Sequence, residues 1–272
     1  MTSLSQQSII DYLDRIHIPR ERSEHRVSSL QTLLALHEAH MLSVPFENLS
    51  IHYGQPIILE EEALFEKIVR QHRGGFCYEL NGLFAWLLRH LGFHVTLLSA
   101  GVARASGGFG PEFDHLTLLV HDLEGADWVA DVGFGDLFLR PLRFVAEVEQ
   151  TDVSGHSYRL LRDEQGRIHS FWIVQQWSGE HWEPQYRFTL QPRELTDFTE
   201  MCYYQQTSPE SHFTQHRICT LATPTGRVTL SDLRLITMVH GQRQERLLAS
   251  EEDYRRALAE LFGIGLQALH QS

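Results

Sequence analysis

The hydrophobic period of this chain changes at Gly92, and that change limits the folds open to it more than any other feature. Before it, apolar residues recur at helical spacing in "SSLQTLLALHEAHMLS" and in "LEEEALFEKIVRQ", which opens acidic and ends basic as the helix dipole prefers. A third helix is predicted in "CYELNGLFAWLLRHLG", with Phe84, Leu87, Leu88 and Leu91 on one face and Gly92 as its stop. After Gly92 the spacing becomes alternation, rich in β-branched residues: "HVTLLSAGVA", "HLTLLVHD", "DWVADVGF", "SYRLLRD", "RIHSFWIVQQ" and "YRFTL". These predict a mostly antiparallel sheet or small barrel. The pattern loosens over "LQPRELTDFTEMCYYQQTSPESHF", where Pro192 and Pro209 punctuate it. Shorter strands return in "RICTLAT" and "RVTLSDLRLITMV", and "SEEDYRRALAELFG" closes as a helix capped by Ser250. The expectation is an α+β chain in three parts: a helical bundle over 1–92, a β-domain over 93–192 and an α/β lid over 193–272. No repeat or low-complexity tract interrupts it.

Charge and cysteine usage narrow the function classes. A net charge of −12 over 272 residues argues against a non-specific nucleic-acid binder, which needs a basic face to release counterions. The first residues lack a basic segment followed by an apolar one, with Asp11 and Asp14 entering early, so no secretory signal is read there. No apolar run is long enough to span a bilayer. Three scattered cysteines, Cys77, Cys202 and Cys219, do not make a disulfide framework and fit free thiols in a reducing compartment. The cytoplasm is therefore the expected location, and a monomer or weak homo-oligomer the expected state.

One cysteine is placed for chemistry. In "QHRGGFCYELNG", Cys77 stands where two glycines give way to a predicted helix. A helix start offers unpaired N–H groups and partial positive charge, which favour a thiolate. Gly74 and Gly75 remove bulk upstream, opening an approach for substrate and for N–H groups to meet an oxyanion. The other reading of Cys77 is a small buried hydrophobe, and it stays open on these residues alone.

A nucleophilic thiol needs a base, and the base an orienting partner. Among 17 histidines, His115 stands out because it begins the strand "HLTLLV". Alternation there puts His115, Thr117 and Leu119 on one face and Leu116, Leu118 and Val120 on the other. The next strand carries Asp131 between apolar neighbours, where a buried carboxylate needs a partner. If the two strands pair, as sequential strands usually do, His115 is that partner. An ordinary half-buried histidine and an aspartate capping a turn at Gly133 and Gly135 are the alternatives. The order Cys, His, Asp on helix, strand, strand is that of papain-like and transglutaminase-like cores.

Metal catalysis finds less support. "HEAH" at His37 to His40 has one residue too few for the zinc helix motif, and His212 with His216 lacks a third ligand.

Four stretches in register, "VPFENLSI" (44–51), "RGGFCYELNGLF" (73–84), "DHLTLLV" (114–120) and "VADVGFGD" (129–136), resemble the arylamine N-acetyltransferase family, and "SPESHF" (208–213) fits the same likeness. The resemblance implies a three-part fold around a papain/transglutaminase-like cysteine core. It implies Cys77, His115 and Asp131 as a triad, acetyl-CoA as donor without a metal, and small aromatic amines, hydrazines or hydroxylamines as acceptors in a ping-pong reaction. Phe46, Val102, Phe134 and Phe213 are implied to line an apolar acceptor pocket, while Arg73, Glu47 and Asn48 tie its first segment to the active-site turn. Lys67 is the only lysine, so CoA phosphates are left to arginines and to backbone N–H groups near Gly133 and Gly135. A hydrolase or transglutaminase-like enzyme on the same triad, a transferase of longer acyl groups, and a binding protein on the same fold remain the rivals.

Overall fold

A computed structural model describes residues 4–19, 28–163 and 170–265. The chain is α+β, with helices first and two antiparallel sheets after them. Helices α1 (Gln6–Arg15) and α2 (Leu30–Ser43), the short α3 (Leu49–His52) and α4 (Glu61–Phe65), and α5 (Cys77–His90) build the first part. Ser29 caps α2 by accepting the Thr32 N–H at 3.2 Å. The stretch read as one helix after Glu60 changes winding, because Glu66–Arg70 forms a π turn. Within that turn Lys67 reaches inward to Glu79 at 2.7 Å.

α5 departs from the one-faced helix that its spacing suggested: every residue from Cys77 to Leu88 is buried. Phe84, Leu87 and Leu88 pack into the bundle, while the opposite side lies against β2 (Val95–Val102) and β3 (His115–Leu123). The helix runs through the middle of the molecule. Its first residue is therefore held by the bundle and the sheet together.

The larger sheet adds β4 (Ala126–Ala130), β5 (Leu142–Arg143), β6 (Gln150–Thr151), β7 (Ser157–Asp163), β8 (Phe171–Trp177) and β9 (Trp182–Arg193), in the order β5-β4-β3-β2-β9-β8-β7-β6. A parallel bridge between Ala146 and Leu160 draws the chain after β5 alongside β7, so the sheet curls almost closed. Leu116, Leu118 and Val120 of β3 face the bundle core, and Leu119 faces the core inside the curled sheet, as alternation requires. β3 and β4 pair antiparallel, with Leu118 opposite Ala130, which brings the segment after β4 beside the start of β3.

The region where the pattern loosened is helical. A 3₁₀ turn (Leu195–Phe198) leads into α6 (Thr199–Thr207), and α7 (His212–Gln215) follows. α6 buries only Cys202 and Gln205, too little for an apolar stripe to show in the sequence. The second sheet is a meander of β10 (Ile218–Thr223), β11 (Gly226–Ser231), β12 (Arg234–Val239) and β13 (Gln242–Leu247). β13, "QRQERL", escaped notice because it is exposed at every position, and its charges suit an edge strand. β1 (Phe46–Glu47) from the first part joins this sheet beside β10. α8 (Glu251–Phe262) begins at Ser250, whose hydroxyl accepts the Asp253 N–H, and packs on the meander. Among the described residues no helix is long and apolar enough to cross a membrane.

Candidate active site

Cys77 is the first residue of α5, so its N–H has no acceptor within the helix. Glu79 secures that start: its Oε2 accepts the Phe76 N–H at 3.1 Å while its Oε1 takes Lys67. The two glycines upstream serve packing rather than substrate approach. A side chain at Gly74 would sit 1.9 Å from the Pro45 carbonyl oxygen, and one at Gly75 would sit 2.8 Å from the Glu79 Cβ. Each lets the "VPFENL" segment or Glu79 close on the turn that carries Cys77, and the Glu47 N–H donates to the Gly75 carbonyl at 2.9 Å.

Arg73 binds that segment as anticipated for Glu47, with Nε donating to Glu47 Oε1 at 2.9 Å. Its amide partner differs, being Gln55 at 3.2 Å. Asn48 turns instead toward the last part of the chain, donating to the Phe213 and His216 carbonyls and accepting the Ile218 N–H at 2.8 Å. Burial alone would push Glu47 up, but Arg73, Lys67 and the Leu49 N–H hold its carboxyl below the usual range. Lys67 is committed to Glu79, so this lysine has no phosphate to serve.

His115 Nε2 lies 2.6 Å from Asp131 Oδ2, with both residues buried. A carboxylate can only accept here, so the proton sits on Nε2 and Nδ1 is the basic nitrogen of the neutral ring. The ring is wedged between Phe134, with centroids 5.3 Å apart, and Tyr186 at 5.1 Å. Burial opposes ionisation of Asp131. The electrostatic pull of the His115 ring and bonds from His115, Asn81 and the Gly133 N–H outweigh it and hold Asp131 below the ordinary carboxylate value.

Three side chains that sequence reasoning left unassigned complete this support. Asn81 Nδ2 donates to Asp131 Oδ1 at 2.8 Å and to the Leu116 carbonyl at 2.6 Å, and its Oδ1 accepts the Val132 N–H. It stands four residues after Cys77, one turn along the same face, which is the signal that could have found it. His37 Nε2 accepts the Asp131 N–H at 3.1 Å, which assigns the proton to Nδ1, donating to the Leu139 carbonyl at 2.8 Å. Burial pushes the His37 ring below its usual pKa and keeps it neutral for this role. The first histidine of "HEAH" thus fixes the backbone of a carboxylate. Tyr186, on β9, gives its hydroxyl to a bond with Thr117 at 3.1 Å beneath the His115 ring. Nothing in its local sequence marks it.

A cavity of about 740 Å³ opens beside Cys77 and His115. Phe46, Val102, Phe134 and Phe213, the four anticipated lining residues, all face it. Gly133 faces it as well, pressed so close that a side chain there would fall 2.8 Å from the Cys77 Cα. Gly135 lies outside the lining. Its φ of 105° and the Phe46 ring 3.3 Å from any added Cβ call for glycine, and its carbonyl accepts from Arg227. Asp131 sits behind His115, fully buried. Arg104, Asp114, Gln205 and His212 also line the cavity and were not foreseen.

The thiol itself is subject to opposed influences. Burial pushes Cys77 up strongly, and Asp131 and Asp114 add to that, while the Leu116 N–H pulls it down. In such a place a thiol gives its proton to a neighbouring base more readily than to water. Cys202 and Cys219 are buried free thiols away from this cavity, both raised by burial, and they fill the cores of their own parts.

Residues 29–270 match the N-acetyltransferase family. An arylamine N-acetyltransferase / N-hydroxyarylamine O-acetyltransferase of Salmonella typhimurium is 35% identical over 243 residues, covering 88% of this chain and 84% of that protein. The solved structure of an arylamine N-acetyltransferase from Salmonella typhimurium superposes with a TM-score of 0.87 at 33% identity, over 98% of this chain and 93% of that one. A Mycobacterium marinum arylamine N-acetyltransferase in complex with CoA superposes with a TM-score of 0.86 at 28% identity, over 97% and 95%.

Proposed function

The chain belongs to the arylamine N-acetyltransferase family, and from that premise we propose that it moves acetyl groups from acetyl-CoA to arylamines through an acetyl-Cys77 intermediate. The observation that carries the reading is that Cys77 and His115 open on one aromatic-walled cavity, with Asp131 2.6 Å behind His115. In the first half, Cys77 Sγ gives its proton to His115 Nδ1 and attacks the thioester carbonyl. The carbon–sulfur bond to CoA breaks, and the CoA sulfur leaves with the proton returned from His115. In the second half the amine nitrogen attacks the acetyl-cysteine, His115 accepts the amine proton, and the Cys77 sulfur leaves as the amide forms.

Asp131 keeps His115 in the tautomer with Nδ1 free, and compensates the ring's charge when that nitrogen is protonated. The Cys77 N–H is the oxyanion donor, unpaired because it opens α5. Phe46, Val102, Phe134 and Phe213 exclude water, which would otherwise hydrolyse the acetyl-enzyme, and the three phenylalanines present ring faces and edges to an aromatic acceptor. With Lys67 engaged, Arg104 is the cationic side chain at the exposed rim of the cavity for the CoA phosphates. Gly133 gives the pantetheine arm a wall without side-chain bulk. Gly135, held by Arg227, fixes the turn that carries Phe134.

Steady-state kinetics with acetyl-CoA and a simple aniline varied together test this order of events. Parallel double-reciprocal lines are expected, since CoA departs before the amine reacts. Intersecting lines would mean that both substrates must be bound together, and would contradict the covalent route.

A further inference from the structure

The cavity contains two acids in its lining, and they are unlike. Glu210 is exposed on the rim, whereas Asp114 is partly buried, one residue before His115 and within electrostatic reach of the Cys77 thiol. Sequence reading gave residue 114 no role beyond opening the stretch "DHLTLLV". Three elements now hold its carboxylate in place. Oδ2 accepts the Val102 N–H at 3.3 Å from the end of β2, and Oδ1 accepts Gln205 Nε2 at 3.1 Å from α6. Gln205 is itself set by Ser211, whose hydroxyl donates to its Oε1 at 2.6 Å. From the third side Gly110 packs so tightly that a Cβ there would lie 2.1 Å from Oδ2.

The backbone beneath is equally fixed. Phe113 is left-handed at φ 64°, its N–H donates to Ser99 Oγ at 2.6 Å, and its carbonyl accepts the Tyr78 hydroxyl at 2.7 Å. A carboxylate held this firmly in an apolar wall is preorganised, and two N–H bonds leave lone pairs for a third donor. The other ionisable groups facing the cavity besides Cys77 and His115 are Arg104, Tyr204, Glu210 and His212, all exposed and screened by solvent. Asp114 is thus the partly buried acid of the cavity wall, its carboxyl raised by burial against the opposing effect of the Val102 N–H, His115, Arg104 and Gln205.

We propose that Asp114 selects the acceptor, favouring arylamines that carry a cationic or hydrogen-bond-donating ring substituent and disfavouring aryl carboxylates. This rests on the acetyl-Cys77 reading and adds the acceptor class to it. A hydrogen bond to a charged partner in such a site is worth about 10- to 100-fold in discrimination.

The test compares kcat/KM for 4-aminobenzamidine, 4-aminobenzamide and 4-aminobenzoate, with acetyl-CoA as donor. Release of CoA from acetyl-CoA without any acceptor is followed separately, so that a failed acetylation step is distinguished from lost selection. Wild type is expected to order them benzamidine, benzamide, benzoate after correction for the solution reactivity of each amine. In Asp114→Asn the benzamidine-to-benzoate ratio is expected to fall at least tenfold, whatever the general loss of rate. Asp114→Ser, which can still accept the Val102 N–H, is expected to do the same and decides the matter if the asparagine variant folds poorly. A ratio within twofold of wild type in either variant, or a wild type that prefers the benzoate, overturns the proposal.

Discussion

At the scale of single residues the chemistry depends on where one proton goes. Burial pushes the Cys77 thiol up, so the apolar wall by itself opposes a thiolate, and on the proposed route the proton passes to His115 Nδ1. His115→Ala is therefore expected to slow alkylation of Cys77 by iodoacetamide near neutral pH, and its rate should keep climbing above pH 9 as the raised thiol finally ionises. Equal rates in variant and wild type would remove His115 from this role. Asp131→Asn keeps the shape of the site but no longer commits Nε2 to carrying the proton. A fall of about 10²- to 10⁴-fold in kcat is expected, together with a lower melting temperature at pH 7, because the depressed carboxylate also contributes stability there. Cys77 and His115 stood out before any coordinates because a helix start favours a thiolate and a strand pins an imidazole, and the structure brings both to one cavity. His37 and Tyr186 did not, since each acts through a partner distant in sequence, Asp131 at 94 residues for His37 and Thr117 at 69 for Tyr186, whereas the place of Asn81 one turn after Cys77 was a usable signal.

At the scale of elements, the site exists because α5 is clamped on all sides. Gly133 packs directly on the helix start: a Cβ added there would lie 2.7 Å from Asn81 Nδ2, 2.8 Å from the Cys77 Cα and 2.9 Å from the Cys77 carbonyl oxygen, which leaves no room for a methyl group. Gly133→Ala is expected to destabilise the fold by about 1–3 kcal/mol and to lower acetylation of Cys77 beyond what that loss explains, because the helix start must shift. Urea melts paired with single-turnover acetylation measure both. A variant as active and stable as wild type would show that the turn and the helix are less tightly coupled than their contact implies. The same elements show where periodicity serves and fails. β2, β3 and the pairing of β3 with β4 were legible because their two faces meet different cores. α6 and β13 were not, because one buries two residues and the other none. The three-way hold of "VPFENL" was half legible: the Arg73–Glu47 pair followed from charge, whereas Asn48 reaches across 165 to 170 residues to the last part of the chain.

At the scale of the whole molecule, buried charges tie the parts together and give stability a sign with pH. Glu47, on the strand that joins the second sheet, is held below its unfolded pKa by Arg73 and Lys67 against the opposing effect of burial, and Asp131 is held below its own by His115 against the same effect. A depressed carboxylate adds stability above its unfolded pKa, near 4, and that stability is lost as pH falls through the folded value. Glu79, raised by burial, has the opposite sign and opposes part of the loss. The melting temperature of wild type is expected to drop steeply below about pH 4, and Glu47→Gln should start lower at pH 7 but drop less; a variant parallel to wild type would mean that Glu47 does not carry this dependence. Bundle, curled sheet and meander each supply residues to the cavity beside Cys77, and the proposed function requires that this sulfur be acylated. Incubating the protein with acetyl-CoA alone and weighing it intact tests that claim most directly. One acetyl group on Cys77, with one equivalent of free CoA and neither in Cys77→Ala, is the predicted result. An unmodified wild type, or a Cys77→Ala protein that is labelled all the same, would contradict it.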